Sequence, residues 1–201
     1  MNKILVVFAH PLLEKSRVHK ELLKAIQNVK GITINDLYEQ YPDFDIDVPR
    51  EQQLLLDHDI IIWQHPLYWY SAPAILKQWQ DLVLEHGWAY GRTGKALKDK
   101  IVFNVFSSGG AMHSYQHDGF QQYTIQELLL PFERTAFLCS MRYWPPFWVP
   151  GSHLMPQTQI QQYAQQYRKL LEQLIEGDYS ETESQKVLCL NDMVTLTTKE
   201  A

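Results

Sequence analysis

Three apolar runs, Ile4–Phe8, Ile60–Trp63 and Ile101–Phe106, show no period-two alternation, and stretches of helical periodicity separate them. A strand that is apolar on both faces must be covered on both faces, which is the situation of a parallel sheet flanked by helices. Val18, Leu22, Ala25, Ile26 and Val29 recur at helical spacing, Gly31 closes that helix, and 32–37 reads as a second strand, so the chain opens with a βαβ unit. A polar connection over 38–49 leads to a short helix over 50–57. Pro73 starts a helix that runs to about His86, and 87–100 is a loop. Residues 122–138 read as one helix kinked at Pro131, 141–148 as a fifth strand in spite of Pro145 and Pro146, and 157–175 as an amphipathic helix. From Gly177 onward the pattern is that of a tail with one short apolar segment, 187–190.

These elements predict an α/β chain built on a doubly wound, five-stranded parallel sheet, for which the strand order 2-1-3-4-5 is taken as the expectation, with one domain over 1–176 and a C-terminal tail over 177–201. A chain of 201 residues can bury a single core of that size. Eighteen basic against 23 acidic residues give a formal charge of −5, which lacks the cationic excess that a nucleic-acid backbone selects. Cys139 and Cys189 stand far apart without metal-ligand spacing, as expected of a cytoplasmic protein, and no run has the length of a signal-peptide core or a membrane span.

In a sheet of that order, ligands sit beyond the strand C-termini where the order reverses, so the loops after strands one, three and four should converge. The first loop carries His10 and Pro11 and then Ser16, placed as the N-cap of a helix opening Arg17-Val18-His19. Hydroxyl, cation and free amides at a helix start make an anion site. No G-x-G-x-x-G follows the strand, which disfavours a dinucleotide site of the Rossmann type. The third loop places Tyr68, Trp69 and Tyr70 side by side; three consecutive rings cannot all face one interior, so some must line a crevice or a partner. The fourth is Ser107-Ser108-Gly109-Gly110, whose glycines let the backbone approach a ligand, with His113, Tyr115 and His117 beyond as candidate donors.

Other motifs fail on their chemistry. Asp43-Phe-Asp45-Ile-Asp47 opens like a calcium loop, but Val48 takes the glycine position and Leu54 the terminal glutamate. Gly91 to Lys95 is too short for a phosphate loop. His113 and His117 lack the adjacent glutamate of a zinc helix, so no metal is expected.

At these loops the chain resembles the flavodoxin-like NAD(P)H:quinone oxidoreductases, in the branch holding the ancillary subunits of glutathione-gated potassium efflux systems. The resemblance spans about residues 3–175. It is carried by Val7-Phe-Ala-His10-Pro11, Tyr41-Pro-Asp-Phe44, Gln64-His-Pro-Leu-Tyr-Trp-Tyr-Ser71 with 73–79, and Gly87-Trp-Ala-Tyr-Gly91. It implies FMN as cofactor, with FAD as the alternative, NAD(P)H as co-substrate, and two-electron hydride transfer to a quinone-like acceptor. By the same resemblance, His10, Ser16, Arg17, Val18 and His19 would hold the flavin phosphate side. Pro66, Leu67, Tyr68, Trp69, Tyr70, Ser107, Ser108, Gly109 and Gly110 would hold the ring, and Tyr115 and His117 would be catalytic. His117 departs from the family spacing, and His19 stands where asparagine is common. A homodimer is implied too. The alternative function is a regulatory subunit docked on a membrane potassium efflux transporter, peripheral to the inner membrane; exposed aromatics of Trp144-Pro-Pro-Phe-Trp148 would serve such docking, and a homodimer interface or a substrate wall explains them equally well. One-electron carriers of the flavodoxin kind use a Thr/Ser/Gly-rich loop after the first strand, which His10-Pro-Leu-Leu-Glu14 does not resemble.

Overall fold

A computed structural model describes residues 1–194. Strand β1 (Ile4–Phe8) is central and pairs in parallel with β2 (Ile32–Asp36) and β3 (Ile60–Pro66); β3 pairs with β4 (Ile101–Ser107). The order is β2-β1-β3-β4-β5, with β5 (Arg142–Tyr143) at the end of the series, as expected. Every residue of β1, β3 and β4 is buried, because helices cover both faces. Helices α1 (Arg17–Ile26) and, late in the chain, Gln157–Glu176 pack Val18, Leu22, Tyr167 and Leu171 against Val6, Ile62 and Phe103. On the other face, α2 (Leu37–Gln40), α3 (Val48–Asp57) and α4 (Ala74–Val83) bring Leu37, Leu55, Ile75 and Trp79 against Val7, Ile61 and Val102.

The connection after β2 holds a turn of helix, α2, because Asp36 caps it by accepting from the Tyr38 and Glu39 amides. The expected helix over 122–138 is two helices, α5 (Ile125–Leu128) and α6 (Leu130–Leu138). Thr124 and Glu127 form a reciprocal cap at the first. Pro131, having no N–H to offer the preceding turn, sits in the first turn of the second.

The fifth strand is broken into β5 (Arg142–Tyr143) and β6 (Phe147–Val149), both parallel to β4. Tyr143 pairs with Val102 and Phe147 with Val105, so the three residues Trp144, Pro145 and Pro146 oppose the two residues Phe103 and Asn104. This is a bulge, forced where two prolines supply no ladder donors, and it moves every later side chain to the opposite face. Trp144, Phe147 and Trp148 are thereby buried, at 0%, 0% and 5% exposure, which corrects the expectation of exposed docking aromatics there.

The long helix α7 (Gln157–Glu176) ends at Gly177, whose left-handed φ of 79° suits glycine, and α8 (Glu181–Ser184) follows. The chain then returns to the sheet edge. Leu190 is buried and its amide donates to the Pro146 carbonyl, and Asn191 pairs both backbone groups of Trp148 at 2.9 and 3.0 Å, as a neighbouring strand would. Among the described residues no helix is long and apolar enough to cross a membrane.

Candidate functional site

The loops after β1, β3 and β4 converge on a cleft of about 350 Å³ at the C-terminal edge of the sheet. Of the residues singled out from the sequence, His10, Ser16, Arg17, Val18, Pro66, Leu67, Tyr68, Ser107 and Gly109 line it. At one end Ser16 caps α1 by accepting from the His19 amide at 3.1 Å. The amides of Arg17 and Val18 find no acceptor among the described residues, and Lys15 and Arg17 add positive charge. That end is built for an anion. The other end is lined by Pro66, Leu67, Tyr68 and Gly109 and is largely apolar.

Tyr68 and Ser71 exchange both backbone hydrogen bonds, at 3.1 and 2.9 Å, so Trp69 and Tyr70 are the centre of a two-residue hairpin. Both have positive φ, 48° and 63°, where Asn-Gly is the favoured pair. Trp69 is 93% exposed and Tyr70 54%. They therefore stand at the rim and are not among the lining residues. Such strain costs about 1–3 kcal/mol per residue and persists where a large ring is needed in that position. Replacing Trp69-Tyr70 by Asn-Gly is expected to raise the midpoint of thermal unfolding while weakening ligand binding at the cleft; a lower midpoint would mean that the rings hold the loop together.

His10 accepts from the Leu12 amide at its Nδ1 (3.1 Å), which leaves Nε2 protonated in the neutral ring. Burial lowers its pKa, opposed by the Glu14 carboxylate. Ser108 points away from the cleft: its hydroxyl accepts from the Trp148 indole at 2.9 Å and donates to the Gly110 carbonyl at 3.0 Å. The amides of Gly109 and Gly110 have no acceptor among the described residues. Tyr115 is buried against Trp148, ring centroids 5.5 Å apart, and against Gly110, and it lines a separate cavity between α5 and α7. The His117 side chain is 71% exposed, 3.8 Å from Glu127, and does not reach the cleft. Neither Tyr115 nor His117 is thus among the residues lining the cleft, and the short 3-10 turn Met112–Ser114 separates them from Gly110.

Sequence reasoning missed Ser152 and His153, which complete the cleft wall. The Gly151 and Ser152 amides donate to the carbonyls of Gly110 and Ser108, at 2.8 and 2.9 Å, and so lay His153 against Gly109. The loop after the fifth strand lies beside the loop after the fourth in the predicted order, and that adjacency was the available signal.

Beneath the cleft, buried side chains form two hydrogen-bond chains, one on each face of the sheet. On the α4/α6 face, Tyr143 donates to Asn104 Oδ1 at 2.6 Å, Asn104 contacts His65 Nε2 at 2.9 Å, and His65 Nδ1 contacts the Pro66 carbonyl at 2.9 Å. A carbonyl only accepts, so Nδ1 carries the proton and Nε2 accepts from the Asn104 amide. On the α1/α7 face, Tyr167 donates to Gln64 Oε1 at 2.9 Å, Gln64 Nε2 lies 3.4 Å from His19 Nδ1, and His19 Nε2 lies 3.0 Å from Ser107 Oγ. His19 lies under the cleft and does not line it.

Burial lowers the pKa of both histidines: His65 to about 4, opposed by its bond to the Pro66 carbonyl, and His19 well below its ordinary value, with further repulsion from His10 and His65. Both are neutral at pH 7. The unfolded chain binds protons at these rings from its ordinary value of 6.5 downward and the folded chain does not, so their stability contribution is complete above 6.5 and lost as pH falls toward 4. For His65 alone the loss by pH 4 is on the order of 3 kcal/mol, read as a drop in urea midpoint that His65→Asn flattens. A midpoint constant from pH 7 to 4.5 would contradict it.

A model of the flavodoxin-like fold family matches residues 2–171. The chain belongs to the flavodoxin-like family. Among relatives, it is 50% identical over 145 residues (72% of this chain, 83% of the relative) to the uncharacterized NAD(P)H oxidoreductase YrkL of Bacillus subtilis. It is 40% identical over 169 residues (84% and 92%) to the glutathione-regulated potassium-efflux system ancillary protein KefG of an Enterobacter species. Among solved structures, general stress protein 14 of Treponema denticola in complex with FMN superposes with a TM-score of 0.82 at 39% identity, covering 86% of this chain and 99% of that one. An NADPH-quinone reductase of P. pentosaceus does so with 0.76 at 35%, covering 86% and 97%. The cleft of this flavodoxin-like chain lies at the switch point of the sheet, where strand order reverses between β1 and β3.

Proposed function

We propose that this chain is an FMN-dependent oxidoreductase that moves two electrons from NAD(P)H to a quinone-like acceptor. One observation carries the reading: one cleft offers a capped helix start with unpaired amides at one end and an apolar wall with free amide and hydroxyl donors at the other. A phosphate joined to a planar heterocycle matches both ends, and the Treponema denticola relative is in complex with FMN. FMN held in this cleft would supply two-electron hydride chemistry between a nicotinamide and an acceptor.

This chain's residues bind and orient. Ser16, the amides of Arg17 and Val18, and Lys15 are the groups available to a phosphate. Pro66, Leu67 and Tyr68 exclude water from a ring face, and the amides of Gly109 and Gly110 are the donors available to its acceptor atoms. With His117 solvent-exposed and Tyr115 turned to another cavity, His10 and His153 are the imidazoles nearest the reacting atoms in this reading.

Freshly purified protein is expected to be yellow, to bleach anaerobically with NADPH and to recover with benzoquinone. Protein that stays colourless after FMN is added would overturn the proposal. The 40% identity to KefG favours a second reading, a regulatory subunit of a potassium efflux transporter, which co-purification of the transporter with flavin-free protein would support. Docking in that reading must use surface other than the buried rings of Trp144, Phe147 and Trp148.

A further inference from the structure

The buried chain on the α1/α7 face has one free end, and its direction follows from its other end. Tyr167 is fully buried, and Gln64 is the hydrogen-bond partner of its hydroxyl among the described residues. If that hydroxyl accepted, its proton would be buried without an acceptor, at about 1–3 kcal/mol. It therefore donates to Gln64 Oε1, which turns the amide nitrogen toward His19 Nδ1. A neutral imidazole that accepts at Nδ1 carries its proton on Nε2, and Nε2 faces Ser107 Oγ. Ser107 Oγ thus accepts from inside. Its own proton has no acceptor among the described residues, and the residue lines the cleft.

We propose that Tyr167, Gln64 and His19 are positioning residues that commit the Ser107 hydroxyl to donate into the cleft, so that the site selects a ligand presenting an acceptor atom there. A serine hydroxyl has one proton and two lone pairs; here one lone pair takes the His19 N–H, so the proton cannot be spent on that ring and is left to an acceptor on the cleft side. The direction of the chain stands on buried hydrogen bonds alone; that the acceptor is an atom of the flavin ring rests on the reading above. On a ring that gains negative charge when reduced, a donor unable to reverse favours the reduced form.

The first measurement needs no variant. Nitrogen NMR of the imidazoles in labelled, flavin-free protein at pH 7 is expected to show His19 protonated on Nε2 and bare on Nδ1; a proton on Nδ1, or on both nitrogens, overturns the proposal. Tyr167→Phe frees the Gln64 amide to turn over, and the His19 signals are then expected to move toward the Nδ1–H form. Oxidised FMN is expected to bind Tyr167→Phe and Ser107→Ala each about tenfold more weakly, the size of one hydrogen bond. Reduced FMN should lose about a further tenfold, a fall in the two-electron potential of about 30 mV. The double variant is expected to lose no more than either single one; fully additive losses overturn the coupling. If His19 carries the expected tautomer and wild-type protein binds no FMN, the donor stands and the flavin reading fails, so the two failures are told apart.

Discussion

Replacing Glu51 with alanine is expected to destabilise the fold by about 3–5 kcal/mol, the cost of removing one partner from a buried charge network. Glu51 is fully buried, and its carboxylate accepts from Asn35 (2.7 Å), Tyr41 (2.6 Å), the Trp79 indole (2.7 Å) and Arg50. Those donors come from β2, the turn after α2, α4 and α3, so one carboxylate ties together one flank of the sheet. Arg50 also donates to Asn35 and to the Tyr41 hydroxyl, at 3.1 and 3.2 Å, which leaves Tyr41 bonded on both sides. The two act on the Tyr41 phenol oppositely: burial first and then Glu51 raise its pKa to about 12, against the pull of Arg50. Without the carboxylate, the donors of Asn35, Tyr41 and Trp79 lose their acceptor in a buried site and Arg50 loses its ion-pair partner. The thermal midpoint should fall by roughly 6–20 °C for a chain of this length. Glu51→Gln, which keeps the shape but turns an amide toward other donors, should lie between. A change under about 1 kcal/mol in urea unfolding would show that the network contributes specificity without net stability.

The second large effect separates binding from folding. Gly109→Val is expected to weaken FMN binding by roughly a hundredfold, an overpacking penalty of about 3 kcal/mol, while the protein remains folded. A Cβ at Gly109 would meet the His153 ring, 2.7 Å from its Cδ2. His153 is exposed and can swing aside, so the fold tolerates the change, but the cleft loses the wall that His153 forms and its opening narrows. Gly94→Ala should give the opposite signature. Its Cβ would lie 2.5 Å from the Tyr90 backbone nitrogen and 2.7 Å from the Tyr90 carbonyl carbon, and backbone cannot swing aside. Stability falls there, and the folded fraction keeps its affinity. Unchanged FMN stoichiometry and affinity in Gly109→Val would remove Gly109 from the site.

The strand runs and their alternation with helices were legible because side-chain periodicity is local. Ser16 was readable as a helix cap for the same reason: its acceptor role toward His19 lies three residues away. Gln64 and His65 carried a signal too, two polar residues ending an otherwise apolar strand that turns out fully buried. What they do there was not legible. Gln64 meets Tyr167 across 103 residues, and Asn104 meets Tyr143 across 39, distances over which no spacing rule operates.

By itself the sequence determined the class of fold and the loops that follow the buried strands; which strands are neighbours was an expectation that the pairing in the sheet decided. Burial on both faces of Ile4–Phe8, Ile60–Pro66 and Ile101–Ser107 leaves few other ways to satisfy their apolar side chains and backbone groups. The tertiary structure alone decided which side chains of those loops face the cleft. A single extra residue at Trp144-Pro145-Pro146 flips the register, buries Trp148 against Phe106 and bonds it to Ser108. That bond withdraws the Ser108 hydroxyl from the cleft, while Ser107, one residue earlier and on the other face, stays in it. Side-chain parity along a strand is set by local geometry, but a bulge and its long-range partners set where that parity starts.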